Sequence, residues 1–278
     1  MKRLVYLFII FITTLQCYAA DPAKTSSENA AKFKYIPWGV PLVFGAYGAV
    51  FWDWGKVHSF RFRDEGWFQA NTYSGGADKL SHAYFLFLLD RMSYDFYQKH
   101  DLTHEESLKH SFILSSAVGV MIETGDAFSH YGFSLSDLVC NTAGIGLAHL
   151  LNSDPYLDEL IGFQFWFLND NNETKKRQNL YDQIADYNNQ KYIFNIRFAA
   201  IPTLRDFKPT RYINLDFGYY TRGYQVPEAT NRRVPYIGAS INFSQLLKDF
   251  FPKSDYTYYG ASVLKYYQAP YTGVELLK

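Results

Sequence analysis

The chain has 278 residues, 48% of them hydrophobic and 19% charged, which is enough apolar surface for a buried core and excludes general disorder. Its 27 basic and 27 acidic residues cancel, so no basic excess exists to neutralise phosphates, and nucleic-acid binding is disfavoured. The two cysteines, Cys17 and Cys140, exclude a disulfide scaffold and a cysteine zinc cluster.

The compositional outlier is aromatic. With 24 Tyr, 24 Phe and 5 Trp, rings make up 19% of the chain. Such loading suits packed β-structure or a membrane–water boundary.

Residues 1–20 read as a secretory signal. Lys2 and Arg3 precede an apolar run from Leu4 to Leu15, and small residues at Ala19 and Ala20 offer a cleavage point. Cys17 does not read as a lipidation site, because Gln16 stands where a small residue is needed. Cleavage would leave 25 basic against 27 acidic residues and a single cysteine, Cys140. Residues 21–34 are polar and without apolar periodicity, and read as a mobile leader.

A helical part is expected over 35–168. Tyr35 to Trp52 carries no formal charge but is broken by Pro37 and Pro41 and dotted with Gly39, Gly45 and Gly48. A buried or interfacial helix from about Leu42 fits better than a bilayer span. Arg61 to Gly76 is a glycine-punctuated loop. Helices are expected over Asp78–Lys99, Thr103–His130 and Ser134–Asn152, with a short one after Pro155. Ser115-x-x-x-Gly119 and Gly144-x-x-x-Ala148 put small residues one turn apart, permitting close helix approach.

Residues 169–190 read as a linker. From Lys191 the period drops to two, and strands are expected near 191–199, Arg211–Arg222, Arg233–Phe243 and Tyr256–Tyr267, with the C-terminal tail as a fifth. A short helix fits Gln245–Phe251. The fold class is α+β: an N-terminal antiparallel helical bundle, then a small antiparallel sheet of four to five strands over 191–278. So few strands cannot close a membrane barrel alone, since single-chain barrels begin at about eight.

Ionisable residues interrupt the apolar helices. Asp78 and His82 share one face with Lys79 beside them; Glu123 and Asp126 lie three apart; Asp137 and Asn141 lie four apart. Burying such groups singly is expensive, so they must pair, bind a cation or face a wet cavity. Two readings stand. Asp78, His82, Glu123 and Asp137 could serve acid–base chemistry, or the carboxylates among them could hold a divalent cation through oxygen ligands, with Lys79, Asp126 and Asn141 around them. Alternatively the same groups form a structural polar network that sets helix register. His130 and His149 read as a helix-end cation and a core-edge histidine, and His104 to His110 as a solvated face. Gly-x-Ser-x-Gly, His-Glu-x-x-His and P-loop patterns are absent, and Ser262-x-x-Lys265 lacks its partner motifs.

Three segments carry a family resemblance: Gly75-Gly-Ala-Asp78-Lys79-Leu-Ser-His82, Glu123-Thr-Gly-Asp126, and Tyr131-Gly-Phe-Ser-Leu-Ser-Asp137-Leu-Val-Cys-Asn141-Thr-Ala-Gly144. Together they resemble the YfiM-like family of predicted periplasmic lipoproteins, and more distantly the VanZ-like membrane proteins. With the secretory signal, the resemblance leads to the expectation of an exported cell-envelope protein of the periplasm, and the short, glycine-punctuated apolar helices to association with the outer membrane. Membrane or envelope lipid is the expected partner. The expected role is structural or binding, with an envelope-lipid hydrolase or transferase as the alternative.

Overall fold

A computed structural model describes residues 33–63, 65–167, 185–224, 229–251 and 255–278. The signal segment 1–20, most of the leader and most of the 169–190 linker lie outside the described residues. The chain divides into two compact units. Of the described residues, those up to 65 and those from 85 to 153 form the first, and those from 66 to 84 and from 154 onward form the second.

The first unit is helical. Helix α1 (Gly39–Phe51) starts earlier than Leu42 because Pro41 falls in its first turn, where a missing N–H costs no intrahelical bond. Its buried residues, Val40, Phe44 and Gly48, recur every four positions and form one stripe. Helix α2 (Ala77–Lys99) opens in the second unit and continues into the first. Helix α3 (His104–Ala127) begins at a full capping box: the Thr103 side chain accepts from Glu106 N, and the Glu106 carboxylate accepts from Thr103 N. Helix α4 is Leu135–Ser153. The apolar core joins Val40 and Phe44 of α1, Leu86 of α2, Val118 and Ile122 of α3 and Ile145 of α4. Ser115, Gly119, Gly144 and Ala148 are all buried, as the small-residue spacing predicts. At Gly119 an added Cβ would already touch Leu86 and Asn141 at 3.5 and 3.6 Å. Among the described residues no helix is long and apolar enough to cross a membrane.

The second unit is built on a five-stranded antiparallel sheet in the order β1-β2-β3-β4-β5. Its strands are β1 (Ile161–Phe167), β2 (Gln190–Arg197), β3 (Ile213–Arg222), β4 (Arg232–Ile241) and β5 (Gly273–Leu277). Helix α5 (Pro155–Leu160) leads into β1, capped by Asp154. Two single turns, α6 (Pro202–Arg205) and α7 (Lys208–Arg211), join β2 to β3. Helices α8 (Phe243–Phe250) and α9 (Asp255–Tyr266) join β4 to β5.

Two expected elements are corrected. Residues 161–167 lie in the stretch expected to be helical, yet form a strand paired with β2 from Ile161↔Ile196 to Phe167↔Gln190. The Tyr256–Tyr267 stretch, expected as a strand, is helix α9. Its aromatic residues favour β-structure locally, but tertiary partners satisfy the carbonyls that a helix leaves open at its C-terminus. Gln164 Nε2 donates to Leu264 O at 2.9 Å, and Tyr84 Oη donates to Tyr266 O at 2.7 Å. The chain then runs along the outer edge of β1, where Gln268 N donates to Phe165 O at 2.9 Å, before crossing to β5 at the far edge.

The strand register sorts the side chains onto two faces. One carries Phe163, Phe165, Tyr192, Phe194, Phe217, Tyr219 and Ile237; the other carries Gln164, Asn195, Arg197, Asn214, Asp216 and Ser240. The second face is interior and also carries the buried apolar cluster of Trp166, Ile193 and Tyr236. All six of those polar residues are buried, while Phe194, Phe217 and Ile237 are exposed.

Candidate functional site

The Gly75–His82 motif belongs to the second unit. Gly75 and Gly76 turn the chain into α2 with φ of +66° and +90°, values that side-chain-bearing residues rarely adopt. A Cβ at Gly75 would lie 2.6 Å from the Tyr224 ring, and one at Gly76 would lie 2.3 Å from Phe68. The Tyr219 hydroxyl donates to Gly75 O, and the Tyr224 hydroxyl donates to Ala70 O at 2.9 Å, tying this turn to β3. Burial pushes the Tyr219 phenol up to about 12, so it stays a donor at neutral pH.

Ser74 caps the helix: its Oγ accepts from Asp78 N at 3.1 Å and donates to the Asp78 carboxylate. Lys79 Nζ donates to Asp78 Oδ2 at 2.8 Å, with the lysine side chain 1% exposed. Burial alone would raise the Asp78 carboxyl. The Lys79 charge and hydrogen bond, the Ser74 hydroxyl and the charge of His82 outweigh it and hold that carboxyl below its ordinary value.

The remaining expected residues belong to the first unit. Asn141 Nδ2 on α4 donates to Glu123 Oε1 on α3 at 2.9 Å, and both side chains are buried. Ser134 N points at Glu123 Oε2 from 3.4 Å, and Ser134 Oγ accepts from Asp137 N at 3.3 Å. Glu123, Ser134, Asp137 and Asn141 thus meet where α4 begins. Asp126 has a different partner: its Oδ1 accepts from Trp54 Nε1 at 2.7 Å. The indole sits in the space left by Gly48 and Gly125, where an added Cβ would come within 2.2 and 2.3 Å of the ring.

Among the described residues, three buried carboxylates escaped the sequence reading: Asp90, Asp186 and Asp216. On α2, Asp90 accepts from Ser115 Oγ at 2.8 Å and Asn152 Nδ2 at 2.9 Å, while Arg91 Nη1 donates to Asn152 Oδ1. Burial pushes Asp90 up to about 6 against the lowering effect of these donors. The signal was present: Asp90-Arg91 interrupts the apolar run from Tyr84 to Leu89. In β3, Asp216 accepts from Ser240 Oγ at 3.0 Å and Gln268 Nε2 at 3.3 Å, and burial raises it to about 6 as well. Only the register of the sheet identifies Asp216 as interior.

On the aromatic face of the sheet the second unit holds a cavity of about 530 Å³, with Phe68, Leu80, Tyr192, Phe194, Phe217 and Ile237 among its lining residues. Tyr84 covers the adjoining part of the face. It stacks on Phe165 at 5.4 Å between centroids and meets Phe163 edge-on at 5.1 Å. The same face is therefore sealed beside Tyr84 and open around Phe217.

A family model described as "Predicted periplasmic lipoprotein (DUF2279)" matches residues 64–153. The chain is similar to that family over a span holding Asp78, Lys79, His82, Glu123, Asp126, Asp137 and Asn141. The description agrees with the periplasmic lipoprotein resemblance and the export expected from the sequence. Comparison with curated proteins and with solved structures gave no match.

Proposed function

We propose that this chain is an exported envelope protein that binds the hydrocarbon chains of an envelope lipid on the open part of its aromatic sheet face. The single observation that carries this reading is the cavity of about 530 Å³ on that face, within the size range of small-molecule sites. Its lining offers aromatic and aliphatic carbon, and the exposed rings of Phe194 and Phe217 lose water when a chain enters. Each buried methylene contributes about 0.8 kcal/mol, so about ten of them supply roughly 8 kcal/mol before the cost of association. The same face supports membrane association without a spanning segment, and a periplasmic address supplies the lipid.

The polar pairs of the helices are structural in this reading. Asp78 is neutralised by Lys79 and bonded by Ser74, and Glu123 is bonded by Asn141. These contacts lower the cost of burial and fix helix register.

The test is to purify the mature protein without detergent, extract it with organic solvent and identify co-purifying lipid by mass spectrometry, alongside Phe217→Asp. Acyl lipid at near-stoichiometric yield from the parent and its loss from the variant are expected. A lipid-free parent that also fails to bind a fluorescent fatty acid overturns the proposal.

A further inference from the structure

The second unit has another cleft, of about 390 Å³, with a different character. Five cationic side chains line it: Arg197 at the end of β2, Arg205 on α6, Arg211 on α7, Lys248 on α8 and Lys265 on α9. Only two carboxylates, Asp158 and Glu159, line it with them.

The local partners account for part of this charge. Lys265 Nζ contacts both Asp158 oxygens, at 2.7 and 2.6 Å. Arg211 is held by Asp249, with Nε and Nη2 at 2.9 and 3.0 Å from its oxygens. Asp249 is itself fixed by the Tyr212 hydroxyl at 3.0 Å and Gln245 Nε2 at 2.9 Å. Arg197 is buried and donates to backbone carbonyls, Asp158 O at 2.8 Å and Lys265 O at 3.5 Å. Arg205 is 47% exposed at its side chain and lies 3.8 Å from Asp206. Counting Asp249 and Asp206, four carboxylates stand against five cations, which leaves one positive charge in a concave, polar setting. The first turn of α8, with Ser244 and Gln245 on the wall of the cleft, adds the positive end of a helix dipole.

We infer that this cleft binds a phosphate ester. Arginine forks match phosphate oxygens in pairs, and preset cations restrained by Asp158 and Asp249 need little reordering to receive them. The volume exceeds that of phosphate alone, so a polar substituent shares the cleft. The phosphate could belong to a lipid headgroup or to a soluble ester, and the experiment separates the two.

Isothermal titration of the full mature protein uses inorganic phosphate and glycerol phosphate as soluble probes. Flotation uses vesicles of phosphatidylcholine with and without phosphatidic acid. Arg205→Gln and the double variant Arg205→Gln/Lys248→Gln are compared with the parent, with circular dichroism to confirm folding. Binding of glycerol phosphate, weakened at least tenfold in the double variant and less in the single one, supports the site with a soluble ester. Flotation that requires phosphatidic acid and is lost in the folded double variant supports it with a lipid headgroup. No binding of either class, or binding unchanged in the folded double variant, overturns the proposal. The hydrocarbon cavity is read out by fatty-acid binding, so failure of one site is distinguishable from failure of the other.

Discussion

Asp216 and Phe217 are neighbours in β3 and point to opposite faces of the sheet, yet Asp216 is 1% exposed and Phe217 is 41% exposed. The carboxylate lies under the segment that carries Gln268, and the ring lies on the face that borders the cavity. A sheet that buries its carboxylate and shows its phenyl ring accepts a desolvation cost on one side and an unfavourable hydration on the other. The exposed side is the one on which hydrocarbon binding is proposed.

That inversion sets a pH dependence. Unfolded Asp216 releases its proton near 3.8, and folded Asp216 near 6. Between these values the folded state holds the extra proton, so the stability due to this group falls as pH rises through 4 to 6 and levels off above. Asp216→Asn should therefore gain on the parent by about 1–3 kcal/mol between pH 4 and pH 7. Urea midpoints at each pH measure the difference, and a flat difference would contradict the raised value. Asp90→Asn should show the same sign for the same reason.

Phe163 and Phe217 share a face of the sheet but not an environment, being 1% and 41% exposed. Phe163→Ala should cost about 3–5 kcal/mol through a core cavity. Phe217→Ser should cost less than about 1 kcal/mol and weaken fatty-acid binding. Denaturation and ligand titration on the two variants check the contrast.

Lys79→Met leaves the Asp78 carboxylate buried without that cation. A loss of about 3–5 kcal/mol is expected. Asp78→Leu/Lys79→Met should recover much of it, because replacing both members removes the unpaired charge. Thermal unfolding of the parent, Lys79→Met, Asp78→Leu and the double variant forms the cycle, and a double variant no better than Lys79→Met would show that the pair's other contacts dominate.

Asn141→Leu removes the donor to Glu123 and should lower stability by about 1–3 kcal/mol. His104→Ala, at an exposed site where Nδ1 meets the Tyr94 hydroxyl at 2.8 Å, should change stability by less than about 0.5 kcal/mol. Chemical denaturation of both proteins, with circular dichroism to follow helix content, distinguishes a buried network from a solvated turn.

Much of this architecture was legible because its causes are local. Thr103 before its acidic residues, Pro155 in a first turn and the glycines that close the Arg61–Gly76 loop act within a few residues of themselves and predicted their elements, as the small-residue spacings predicted close helix approach. The polar pairs were legible for the same reason, since three- and four-residue spacings place side chains on one helix face. Their partners were not. Nothing in the spacing sends Asp126 to Trp54, 72 residues away, or Asn152 to Asp90, 62 residues away. Strand β1 shows a period of two over Phe163, Phe165 and Phe167, but the run is short and abuts a helix start, so periodicity alone left it ambiguous. Helix α9 reversed a genuine local preference, because Gln164 and Tyr84 satisfy carbonyls that an isolated helix of tyrosines would leave to water. The facing of the sheet was beyond sequence altogether. Alternation determines that Asp216 and Phe217 point opposite ways, but which side becomes interior depends on where the chain after α9 crosses, and that is decided only by the assembled fold.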